Sequence, residues 1–260
     1  MNNSKIKIRN LFLSVLVVSM VAIACTAQEK PEFEKPLQVL VFSKTAGFRH
    51  ESISTGLKML YDQSAKQNWV ITATENSALF SDNFLSVFDV VVFLNPTGDA
   101  IDAAGQATFE KVMKTGKGFV GIHAAADCEY EWPFYGALVG GYFKTHPASQ
   151  TATVVFEKSE HPAMKPFNGM KSYSTFDEWY TFKENPRSKV HVLATLDETT
   201  ITKFDNDNFR MGDHPIIWWS ENNGIRSFYT GFGHTHEAFQ DQKIQEHIKN
   251  AINWAGKRID

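Results

Sequence analysis

The residues of this chain best suited to chemistry are histidines placed at abrupt ends of apolar runs. In Gly121-Ile122-His123-Ala124-Ala125-Ala126-Asp127 a strand-like run stops at a histidine flanked by residues small enough for a sharp turn. A helix beginning there would set its amino terminus behind His123 and favour the neutral ring. A Ser or Cys at such a turn would form an acyl intermediate. An imidazole instead moves a proton or ligates a metal, and Asp127 adds a carboxylate to the same turn.

Four other segments carry related chemistry. In Thr45-Ala46-Gly47-Phe48-Arg49-His50, Gly47 permits a tight turn, Arg49 suits an anionic group or a neighbouring carboxylate, and His50 precedes a helix start. In Gly140 to Pro147, a glycine pair precedes His146, which the following proline holds extended as a partner for His123. Asp177-Glu178-Trp179-Tyr180 sets two carboxylates beside two amphipathic rings. On a strand only one carboxylate faces the pocket, and the reading favours Glu178. Gly231-Phe232-Gly233-His234-Thr235-His236 follows the last strand, and its two histidines form a candidate metal clasp. The expected metal ligands are His123, His146 and His234, for a divalent ion such as zinc. His161 and His214, each before a proline, read as surface residues.

The elements that must position these loops alternate between strand and helix. Apolar runs at Leu37–Ser43, Trp69–Ala73, Phe88–Leu94 and Gly118–Ile122 have strand length. Between them, 52–66 and 103–115 repeat their apolar residues at helical spacing. This alternation predicts a doubly wound α/β fold with a mostly parallel sheet and helices on both faces, its ligand loops at the carboxyl ends of the strands. After about residue 140 the pattern shifts to shorter strands at 151–156, 190–196, 216–220 and 225–231, with Asn223-Gly224 as a hairpin turn. A closing helix over 241–254 ends the domain. The second half is thus expected to be a mixed β elaboration on the same sheet, within one domain spanning 37–256.

Composition narrows the partners. A formal net charge of -3 with scattered cations excludes a phosphate-tracking stripe, and no nucleotide-binding loop is present. Six tryptophans allow sugar-stacking platforms, with Trp132, Trp179, Trp218 and Trp219 as candidates. Lys5, Lys7 and Arg9 followed by the apolar run 11–24 read as an export signal over residues 1–27, with 28–36 as a tether. Ala22-Ile23-Ala24-Cys25 is similar to a lipoprotein cleavage site in which Cys25 takes the lipid, although it also satisfies ordinary cleavage. The membrane is expected to be met only through that anchor, in a periplasmic, outer-membrane or secreted protein. The other cysteine, Cys128, lacks a basic partner and reads as a small buried residue. A homo-oligomer is left open.

Taken together, KTAGFRHESI, GIHAAAD, FDEWY and GFGH resemble the ThuA-like (trehalose-utilisation) family from Leu37 to Trp254. The resemblance implies a flavodoxin-like, class I glutamine amidotransferase-like three-layer sandwich in which His123 stands where those enzymes hold a cysteine nucleophile. It implies a site gathering His50, His123, Asp127, His146, Glu178 and His234, with Gly47, Arg49, Trp179 and Tyr180 toward substrate. It further implies a carbohydrate as ligand, with 3-keto disaccharides as the expected substrates. Two rivals stand beside this reading: a non-catalytic glycan-binding envelope lipoprotein that stacks sugar on tryptophan, and a metal-dependent hydrolase of amides or esters.

Overall fold

The computed structural model describes residues 35–203 and 207–260. The expected export signal, Cys25 and most of the expected tether lie outside those residues.

A nine-stranded sheet runs through the centre of the protein. The strands are β1 (Leu37–Phe42), β2 (Trp69–Thr74), β3 (Val90–Leu94), β4 (Gly118–Ile122), β5 (Phe143–Thr145), β6 (Gln150–Phe156), β7 (Ser172–Asp177), β8 (Thr181–Phe182), β9 (His191–Asp197), β10 (Pro215–Asn222) and β11 (Ile225–Thr230). The sheet order is β2-β1-β3-β4-β11-β10-β9-β6-β7, while β5 and β8 pair apart from it. The pairs β1–β2, β1–β3, β3–β4 and β4–β11 are parallel, which gives the flavodoxin-type order for the first five positions. From β11 outward the pairs are antiparallel, so the shorter strands of the second half extend the same sheet. Asn223 and Gly224 both take positive φ and turn the chain between β10 and β11, the conformation an Asn-Gly hairpin requires.

Among the described residues six α-helices flank the sheet: α1 (Ile53–Gln67), α2 (Asp82–Leu85), α3 (Ala103–Met113), α4 (Pro133–Val139), α5 (His236–Gln240) and α6 (Gln242–Ala255). Alternate residues of one strand face opposite layers. Val39 and Val41 of β1 pack with Leu60 of α1 and Ile248 of α6. Leu40 and Phe42 pack on the other side with Phe109 of α3 and Tyr135 of α4. Both faces of the inner parallel strands β1, β3 and β4 are therefore dry, which is why their sequences read as unbroken apolar runs, while β2 at the edge stays partly exposed. The result is the expected three-layer α/β sandwich. Cys128 is fully buried and its thiol is pushed well above its ordinary value, chiefly by burial.

Two histidines read as surface residues are in fact core. His214 is 0% exposed, because its two ring nitrogens bridge Glu198 and the Tyr180 carbonyl. His161 is 8% exposed and lies among Trp219, Phe228 and Trp254, while its Nδ1 accepts from the Ala163 N–H. A His-Pro pair reports only an extended residue, so it carries no information on exposure.

Candidate functional site

Four loops leave the carboxyl ends of parallel strands and converge. The loop after β1 brings His50, that after β3 brings Asn95, that after β4 brings His123, and that after β11 brings His234. The β7–β8 connection adds Glu178 and Tyr180 from the side.

The turn at His123 is as abrupt as its sequence suggests. His123 has φ of 44°, a left-handed backbone that costs a non-glycine residue energy and is kept where the surroundings force it. The chain continues into a 3-10 turn over His123–Asp127 rather than an α-helix. The expected effect of a helix dipole on the ring therefore does not apply, since so short a turn aligns few peptide units. Neighbours lock the ring instead. Its Nδ1 lies 3.2 Å from the Gly231 carbonyl, an acceptor, so the proton resides on Nδ1 and the Nε2 lone pair points inward. Tyr180 packs against the ring at a centroid distance of 4.1 Å, and the Tyr229 hydroxyl donates to the His123 carbonyl.

Around that lone pair gather Glu178, His234 and His50. Glu178 Oε2 lies 3.4 Å from His123 Nε2 and 3.1 Å from His234 Nδ1, yet neither nitrogen is aligned to donate to it. His50 Nδ1 is likewise buried without a hydrogen-bond partner. The His50 ring meets His123 and His234 edge-on. Burial, reinforced by the neighbouring imidazoles, pushes His50 down to about 3, so its ring is neutral. Burial opposes ionisation of Glu178, but the approach of His123, His146 and His234 outweighs it and holds the carboxyl well below the usual carboxylate range.

One potential ligand atom from each of His50, His123, Glu178 and His234 lies within 4.8 Å of all the others. Ligands on opposite sides of a first-row ion, each about 2.1 Å away, are about 4.2 Å apart. Small side-chain rotations therefore close this set on a divalent cation. Three imidazoles and one carboxylate suit such an ion, and a cation would satisfy the three stranded nitrogens. The set keeps His123 and His234 of the expected ligands, adds His50 and Glu178, and leaves out His146. His50 belongs to it, whereas His146 sits 3.0 Å from the other oxygen, Glu178 Oε1, and its Nδ1 also faces the Pro147 carbonyl.

The loops are fixed by polar residues beneath them. Asp177 is fully buried and accepts from the backbone N–H groups of Glu178, Gly233, His234 and Thr235. The adjacent acidic residues thus divide the work: Glu178 faces the cavity and Asp177 ties down the loop that carries His234. Gly233 has φ of 124°, and a Cβ there would meet Ile122 Cγ2 at 2.8 Å, so no larger residue fits this close crossing. Asn95, with positive φ and no exposure, accepts from the Ala124 N–H and donates to Ser52 Oγ and the Gly233 carbonyl. It ties the other three loops to its own. The sequence marks it only as the start of the loop after the third apolar run.

A cavity of about 310 Å³ opens over the centre, lined by Phe48, His50, Asp127, Phe143, His146, Glu178, Tyr180 and His234. Burial raises the Asp127 carboxyl, although Tyr130 donates to it at very short range. His146 is held up by its contact with Glu178. Other expected residues stand elsewhere. Trp179 is 1% exposed with its Nε1 donating to the Gln150 carbonyl, so it is core and not a ligand platform. Trp132 and Trp218 are buried as well, and Trp219 stacks on His191 away from the cavity. Arg49 forms a bidentate pair with Glu75 and does not reach the cavity. Gly47 shapes the turn against Thr97. His236 turns from the centre to Thr55, so the two histidines of this loop do not share a ligand.

An amidotransferase-like sandwich with an imidazole–carboxylate centre at its strand ends defines the class. The chain belongs to the ThuA family, described as trehalose utilisation, whose model matches residues 38–255. A putative ThuA-like protein from Bacteroides uniformis ATCC 8492 is similar at 25% identity and a TM-score of 0.70, over 85% of this chain and 92% of that one. Another from Parabacteroides merdae ATCC 43184 shares 16% identity at a TM-score of 0.69, over 86% and 91%. A β-galactosidase from Bacillus circulans sp. alkalophilus shares the fold over 85% of this chain and 31% of its own, with 13% identity and a TM-score of 0.55. No curated protein matches the chain.

Proposed function

We propose that the protein is a metal-assisted enzyme acting on keto-glycosides, with oxidised disaccharides as the substrate class. The observation that carries this reading is the convergence of three unpartnered histidine nitrogens on Glu178 beneath a cavity walled by Asp127 and His146. The trehalose-utilisation family supports a carbohydrate ligand. His50, His123, Glu178 and His234 would hold a divalent cation, which would supply positive charge to stabilise an oxyanion.

The remaining chemistry belongs to the chain. A carbon next to a sugar ketone carries an acidic C–H bond. Asp127, its carboxyl raised by burial, takes that proton, and the electron pair moves onto the carbonyl oxygen as an enolate. The enolate re-forms the ketone and expels the glycosidic oxygen, which takes a proton from His146. Water then adds to the resulting carbon–carbon double bond: its hydroxide joins the anomeric carbon, its proton returns to His146, and Asp127 gives back the carbon-bound proton. The sum is hydrolysis of the glycosidic bond, with both groups restored.

Incubation of purified protein with a 3-keto disaccharide tests the proposal. Release of a free sugar, lost in His123→Ala, is expected; turnover unchanged in that variant contradicts it. On the same reading the enzyme works in the cell envelope, anchored through Cys25, and loss of lipid labelling in Cys25→Ser is the corresponding test.

A further inference from the structure

A second cavity adjoins the first. It measures about 340 Å³ and is lined by Phe48, Arg49, His50, Glu51, Ser52, His234, Thr235, His236 and Glu237. Phe48, His50 and His234 line both hollows, so two of the centre's four residues stand between them, while Glu178 lines the first. The hollows differ in character. The first holds the half-buried Asp127 and His146, which contacts Glu178, the groups suited to proton transfer. The second offers the exposed carboxylates of Glu51 and Glu237, and His236, whose Nδ1 is taken by Thr55. Carboxylates and an imidazole suit several hydroxyl groups on one ring, and Phe48, 65% exposed at the shared wall, gives that ring an apolar face to lie on.

We propose that the second cavity is a binding subsite for the departing sugar unit of a two-unit glycoside. The inference rests on the proposed keto-glycoside reaction. The oxidised ring occupies the cavity of Asp127 and His146, the departing unit occupies that of Glu51, His236 and Glu237, and the bond between them passes from one hollow to the other beside His50 and His234. Binding energy gathered on the departing unit then contributes to turnover, because contacts remote from the reacting atoms hold those atoms in place.

The test compares an oxidised disaccharide with the oxidised methyl glycoside of the same sugar, in the wild type, Phe48→Ala and Glu51→Gln/Glu237→Gln. The expected result is a loss of about tenfold or more in kcat/KM on the disaccharide in both variants, at least fivefold larger than the loss on the methyl glycoside. Equal losses on the two substrates, or none, overturn the subsite. If the wild type turns over neither compound, the catalytic reading fails, and calorimetry with trehalose and methyl glucoside decides the subsite alone. Trehalose binding weakened selectively in the double variant supports it, and equal binding in both proteins overturns it.

Discussion

The Asp177 carboxylate accepts the backbone N–H of His234 at 3.0 Å, and through three further N–H groups it fixes the spacing between Glu178 and that histidine. A fully buried carboxylate with four backbone donors and no cation among its hydrogen-bond partners acts as a clamp whose loss frees the whole loop.

Asp177→Asn places an amide where only an acceptor fits. The variant is expected to lose about 2–4 kcal/mol of stability, since buried N–H groups are left unpaired. The loss should appear as a lower midpoint in urea together with a weakened metal affinity. An unchanged midpoint would show that the loop holds itself.

The left-handed backbone at His123 gives a second prediction. Replacing the imidazole removes the centre's inner ligand in either variant, but Ala at a positive φ is strained and Gly is not. His123→Gly should therefore be more stable than His123→Ala by about 1 kcal/mol, with both inactive. Thermal melts of the pair decide this, and equal stability would mean that the turn relaxes.

Acid sensitivity follows from two histidines far from the centre. Burial holds His161 down to about 3 and His247 down to about 4, whereas both titrate near 6.5 in an unfolded chain. Between these values the unfolded state binds more protons, so their contribution to stability is present above pH 6.5 and is lost as pH falls. His146, whose value is raised, works in the opposite direction but is half exposed. Folding stability should drop by at least about 2 kcal/mol between pH 7 and pH 5. A flat profile across that window, measured by urea unfolding, contradicts the burial assigned to these rings.

Tyr130 donates to Asp127 and thereby lowers a carboxyl that burial has raised. Tyr130→Phe removes the lowering contribution. With Asp127 as the base, the acidic limb of the pH–rate profile should move to higher pH. A limb that stays in place, or moves down, assigns the base to another residue.

Much of this arrangement was legible in the sequence. Buried parallel strands announced themselves as apolar runs, and the loops after β1, β4 and β11 carry His50, His123 and His234, so these were found from local pattern. Asp177 and Glu178 were expected to face apart as neighbours on a strand, whereas β7 ends at Asp177 and Glu178 faces the cavity from the connection to β8. What local pattern does not encode is burial decided by distant segments. His161 and His214 are enclosed by strands and loops remote in sequence, and Trp179 turns inward to the Gln150 carbonyl. His146 falls outside the cluster because it meets the other oxygen of Glu178, a detail that no local pattern encodes. Asn95 gave no motif at all, since its partners lie 29, 43 and 138 residues away.

The most direct test of the central claim is the metal content of purified protein after dialysis, compared with Glu178→Gln. The account predicts about one divalent first-row ion per chain in the wild type. In the folded variant, which keeps the three imidazoles but loses the carboxylate between them, it predicts less than about a tenth of that. A wild type that holds no ion when supplied with zinc, manganese or nickel, or a variant that holds it equally well, would contradict the assignment of His50, His123, Glu178 and His234 as a metal centre.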